Sequence, residues 1–132
     1  MMIGLDTNVL VRYVVQDDPK QALKATTLIE SLSSEQPGFI SLVSIVELVW
    51  VIQGCYSASK EDIVAVLDRL LRVKTIFVEN AEVVLKAVRS YAIANADFAD
   101  CLIERSGQHA SCLHTLTFDR KAAKLAGMQL IQ

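Results

Sequence analysis

Five short apolar runs, separated by segments with helical spacing, constrain this chain more than any other feature. Met2–Leu5, Phe39–Ile40, Thr75–Val78, Cys112–Leu116 and Met128–Ile131 read as strands. Between them, helices are expected over Val9–Val15, from the Asp18-Pro19 start signal to about Leu32, and from Ser59 to about Arg72. Further helices follow from Glu79 and Asn80 through Tyr91, from Asp97 to near Gly107, and over Lys121–Ala126, which Gly127 closes. Pattern alone does not separate strand from helix over Leu42–Ile52, but its length and the stop at Gly54 favour a helix buried on most of its surface. Strands that alternate with helices imply an α/β fold: a parallel sheet of about four to five strands with helices on both faces.

Composition sets the outer bounds. At 132 residues the chain is expected to form a single domain, 1–132, with a sizeable core. Hydrophobic residues make up 52%, yet no stretch approaches the roughly eighteen uninterrupted apolar residues of a membrane span. The opening Met-Met-Ile-Gly-Leu-Asp lacks the basic region of a signal peptide. Cys55, Cys101 and Cys112, odd in number and set among apolar residues, suit reduced thiols in a cytoplasm. A net charge of −2 supplies no bulk attraction to nucleic acid, so binding RNA or DNA requires a local cation or a metal.

Five acidic positions in four segments stand out. In Ala96–Ile103 a helix places Asp97 and Asp100 on one face, with Phe98, Cys101 and Leu102 directed to the core. Capping explains both, with Asp97 as N-cap and Asp100 in the first turn; so does a shared cation, since paired carboxylates repel unless compensated. Asp6 and Asp119 each fall at the carboxyl end of a strand, the edge where open parallel α/β sheets bind ligands, and each also suits a local cap. Thr7 and Asn8 read as caps of the first helix. Glu47 is the one charge in an apolar helix; either Ser44-x-x-Glu47 is a capping box, or the carboxylate needs a cationic partner.

A divalent cation explains all of these acids together. Mg²⁺ or Mn²⁺ prefers carboxylate and water oxygens. Held this way it polarises a phosphoryl oxygen and acidifies water, with no Ser, Cys or His nucleophile required. The competing set Cys101, His109, Cys112 and His114 matches no paired-cysteine zinc spacing and reads as core or surface, with His114 a core histidine in its strand. A receiver domain requires an acid pair after the first strand, where Asp6 is followed by Thr7-Asn8. A haloacid-type phosphatase requires a second Asp at position 8, which is Asn.

Leu5-Asp6-Thr7-Asn8-Val9-Leu10, Ser44-Ile45-Val46-Glu47-Leu48, Asp97-Phe98-Ala99-Asp100-Cys101-Leu102-Ile103 and Thr117-Phe118-Asp119, in this order, resemble the PIN-domain family and, within it, the VapC-like toxins. The resemblance implies a three-layer α/β/α fold and a metal-dependent endoribonuclease that leaves a 3′-hydroxyl and a 5′-phosphate. It implies that Asp6, Glu47, Asp100 and Asp119 are the catalytic acids holding Mg²⁺ or Mn²⁺, with Asp97 an additional metal ligand. Thr7, Asn8 and Thr117 are then the polar residues bracing them. It further implies an RNA substrate, a homodimer, and a cognate antitoxin whose tail lies in an apolar groove, sought here around Tyr13 and Leu28. Arg12, Arg120, Lys121 and Lys124 are candidates for RNA phosphates or simply solvated cations. A scaffold that keeps the fold without the activity is the remaining alternative.

Overall fold

The computed structural model describes residues 1–132. The chain divides into two compact units, Met1–Glu79 and Asn80–Gln132.

The first unit is built on three parallel strands, β1 (Ile3–Gly4), β2 (Gly38–Ile40) and β3 (Ile76–Val78), in the order β1-β2-β3. Ile3 pairs with Gly38, and Gly38 in turn with Ile76. At Gly38, in the central strand, a Cβ would lie 2.9 Å from Leu32 Cδ1 and 3.0 Å from Leu5 Cδ1, so those leucine ends close over the glycine. Four helices connect the strands: α1 (Thr7–Val15), α2 (Pro19–Ser31), α3 (Leu42–Cys55) and α4 (Lys60–Arg72). Their starts follow local chemistry. Asp18 accepts from the Gln21 amide with Pro19 in the first turn, and Ser59 and Asp62 form a reciprocal capping box. Leu10, Ile40, Ile45, Leu48, Ile63, Leu67 and Leu70 make the core, each buried to within a percent or so. Each such side chain contributes about 1.5–3 kcal/mol by leaving water.

Two expectations about these helices change, the start of α1 and the burial of α3, and the open question of the Ser44–Glu47 box is answered. Helix α1 begins at Thr7, with Asp6 as its cap, so Thr7 and Asn8 lie inside the first turn. Helix α3 is capped by Ser41, whose hydroxyl accepts from the Ser44 amide, so no Ser44–Glu47 box forms. Nor is α3 buried nearly all round: Val43 is 67% and Trp50 57% exposed.

The second unit contains α5 (Ala81–Ile93), α6 (Phe98–His109), β4 (Leu116–Thr117), α7 (Arg120–Ala126) and β5 (Gln129–Leu130). Helices α5 and α6 pack together, with Val84, Ala87, Val88 and Leu102 buried, and the Tyr91 ring meets Phe98 edge-on at 5.7 Å. Strands β4 and β5 are parallel and pair with each other, Leu116 opposite Gln129. The expected five strands are therefore present as a three-stranded and a two-stranded parallel sheet.

The fourth strand is shorter than the expected Cys112–Leu116. Helix α6 runs on to His109, and the chain turns at Ser111 (φ 65°), with the Cys112 amide donating to the Gly107 carbonyl at 2.9 Å. Backbone groups used to close a helix are not available to a sheet ladder. Gly107 does not end the helix. It admits the Thr115 hydroxyl, which would lie against any Cβ at that position. His114 is exposed and outside the strand, so it is not the expected core histidine. Cys55 and Cys112 are exposed, Cys101 is buried, and none of the three forms a disulfide.

Candidate metal and phosphodiester site

In the first unit the candidate residues come from the end of β1 and from α3. The Asp6 carboxylate accepts from the Thr7 amide at 2.8 Å, the usual way a β-to-α transition satisfies its leading N–H groups. Its second oxygen is left for other uses. The Thr7 hydroxyl donates to Glu47 Oε1 at 2.7 Å. Glu47 therefore has a polar partner within the chain and an exposed carboxylate, rather than the stranded charge its apolar neighbours suggested. Asp6, Thr7, Asn8 and Glu47 line one hollow of about 420 Å³, together with Arg12, Trp50 and Tyr56.

Tyr56 was not singled out by the sequence, and no periodicity marks it. Its hydroxyl donates to Asp17 Oδ2 at 2.8 Å, while Arg12 Nη1 donates to Asp17 Oδ1 at 2.9 Å and Arg12 Nε to Gln21 Oε1 at 2.7 Å. The Tyr56 hydroxyl, and after it the Arg12 charge, holds the Asp17 carboxyl below its ordinary value.

In the second unit the acids gather around the start of α6. Asp97 occupies the N-cap position, but its side chain makes no capping hydrogen bond, so its carboxylate is not used by the helix. Asp100 follows in the first turn, partly buried. Its carboxyl is pushed up by burial first, then by the charges of Asp97 and Asp119. Asp119 sits just past β4 and caps α7, with Oδ1 accepting from Lys121 at 2.8 Å and Ala122 at 3.2 Å. The Thr117 hydroxyl accepts from the Asp119 amide at 3.0 Å and so fixes the turn that presents it.

The candidates thus form two sets, Asp6–Thr7–Glu47 and Asp97–Asp100–Asp119 with Thr117. As the side chains stand, no group of three or more His, Cys, Asp or Glu is placed to hold a metal ion, and this includes the Cys101, His109, Cys112 and His114 set. The donor chemistry nevertheless suits a hard divalent cation, because every candidate ligand is a carboxylate. A cation beside Asp100 would offset the repulsion that Asp97 and Asp119 exert.

Comparison with known proteins places these residues in context. The PIN domain profile matches residues 3–128. The chain is also similar to a protein named VapC ribonuclease from Aquifex aeolicus (strain VF5), 25% identical over 121 residues, covering 92% of this chain and 90% of that one. No helix is long and apolar enough to cross a membrane.

Proposed function

Because the chain belongs to the PIN-domain family, we propose that it is a metal-dependent endoribonuclease, the VapC-like toxin of a toxin–antitoxin pair acting in the cytoplasm. The observation that carries this reading is Asp100, which stands in the first turn of α6 with its carboxyl raised first by burial and then by the charges of Asp97 and Asp119. In this reading Asp6, Glu47, Asp100 and Asp119 hold Mg²⁺ or Mn²⁺, and Asp97 is a further ligand. A bound divalent cation supplies positive charge against the phosphodiester and makes water more acidic.

The chain's own residues do the positioning. Thr7 orients Glu47 through its hydroxyl, and the Thr117 hydroxyl holds the backbone that presents Asp119. Water adds to phosphorus and the P–O3′ bond breaks. The products are a 3′-hydroxyl, which takes up a proton, and a 5′-phosphate. The antitoxin and a second copy of the chain are the protein partners of this reading.

The test incubates purified, antitoxin-free protein with total RNA in Mg²⁺, in Mn²⁺ and in EDTA, beside Asp6→Asn and Asp100→Asn. Discrete cuts that need metal and vanish in both variants are the expected result. Cutting that survives in the variants overturns the site assignment. No cutting by folded protein in either metal favours the scaffold alternative.

A further inference from the structure

Three hollows in the first unit share walls. The hollow lined by Asp6 and Glu47 shares Glu47 and Trp50 with a second of about 360 Å³, to which Val43 and Val46 also contribute. It shares Asn8 and Arg12 with a third of about 480 Å³, which reaches Lys24 and Leu28. Asp6 and Glu47 therefore line one trough together with the Trp50 indole and the Arg12 guanidinium.

Both flanking groups are poised for a ligand. Trp50 is 57% exposed, a large apolar face left in water beside polar chemistry. Arg12 is held at Nε by Gln21 and at Nη1 by Asp17, and the Tyr56 hydroxyl lies 3.5 Å from Nη1, but Nη2 has no protein partner. A guanidinium fixed along one edge presents the other to an incoming oxyanion at little further entropic cost. Arg12 is also the one cation among the residues lining the acid-bearing hollow. A phosphodiester approaching Asp6 and Glu47 meets like charge, and the chain's net charge of −2 gives no help at long range. Arg12, its charge shared with Asp17, offsets part of that repulsion and offers Nη2 as a donor.

We propose that Trp50 is the stacking platform, and Arg12 the phosphate clamp, of a single-stranded RNA subsite beside Asp6 and Glu47. The inference rests on the ribonuclease reading and describes how the substrate is seated. An exposed indole takes an unpaired base of any identity, which a duplex cannot offer without melting. A protein segment seated in the same trough is the competing occupant.

Trp50 is the chain's sole tryptophan, so its fluorescence reports this subsite alone. The experiment titrates a short mixed-sequence single-stranded RNA into the Asp100→Asn protein in EDTA, where cutting does not interfere. Expected are saturable quenching of Trp50, no comparable quenching by the same sequence as a duplex, and affinity about tenfold weaker in Arg12→Gln. The slope of log affinity against log salt should fall by about one in that variant, with Arg12→Lys keeping the slope. In the metal-loaded active protein, Trp50→Ala should raise KM more than it lowers kcat, and Trp50→Phe should recover most of the loss. RNA that is cut while Trp50 emission stays constant overturns the subsite and leaves the nuclease reading standing. Quenching without cutting in any metal overturns the nuclease reading instead. Absence of binding, equal quenching by duplex, or unchanged affinity in folded Arg12→Gln and Arg12→Lys overturns the proposal and leaves the trough to a protein segment.

Discussion

The Thr7 hydroxyl donates to the Glu47 carboxylate at 2.7 Å, across forty positions of sequence. The bond fixes one carboxylate oxygen of α3 relative to the first turn of α1, where Asp6 is the cap. Thr7→Val keeps the shape and removes the donor. Both groups are accessible to water, so the stability loss should stay within about 0.5–1.5 kcal/mol. RNA cleavage should fall by about 10- to 100-fold, the usual cost of losing a residue that orients a ligand. Melting curves and cleavage rates at several Mg²⁺ concentrations separate the two effects. An unchanged rate would remove Thr7 from the site.

Asp100 gives a pH dependence with a definite sign. Burial, then Asp97 and Asp119, raises its carboxyl in the folded protein above the ordinary value of 3.8. Folding therefore favours the protonated form, and ionised Asp100 costs stability at neutral pH. Asp100→Asn should melt higher than wild type at pH 7 in EDTA. That advantage should shrink as pH falls to the ordinary carboxyl range and vanish below it. Saturating Mg²⁺ should raise the wild-type melting temperature more than that of the variant. An Asp100→Asn protein that melts lower at every pH would contradict this account.

Asp119 has a capping duty that is separable from any role at a metal. Its Oδ1 accepts from the amides of Lys121 and Ala122. Asn retains an acceptor oxygen there and Ala does not. Asp119→Ala should lose about 1 kcal/mol by chemical denaturation, while Asp119→Asn stays near wild type. Both should abolish cleavage. Equal stability of the two variants would show that the cap contributes little.

Gly107 and Thr115 form a close contact that should appear as energetic coupling. A Cβ at position 107 would collide with the Thr115 hydroxyl. Gly107→Ala should therefore destabilise by about 1–3 kcal/mol, although alanine is otherwise the better helix residue. Adding Thr115→Ala should restore most of that loss. A double-mutant cycle with no coupling would place the strain elsewhere.

The sequence by itself determined what depends on near neighbours. Asp18-Pro19 starts α2, Ser59 and Asp62 box the start of α4, and Gly127 in the left-handed region (φ 82°) ends α7. Each signal works within a few residues, where chain connectivity already holds donor and acceptor together. The order of the acids could be read in the same way, and the PIN-domain profile agrees with the family they resemble. Tertiary structure decided the rest. It gave Glu47 the Thr7 hydroxyl as a partner and exposed Trp50 on a helix that reads as buried. It closed the Arg12–Asp17–Tyr56 network and confined β4 to Leu116–Thr117. These outcomes join residues far apart in the chain or turn on competing uses of the same backbone groups. Neither is encoded in local spacing, because which partner comes within hydrogen-bonding reach depends on how strands pair and helices pack.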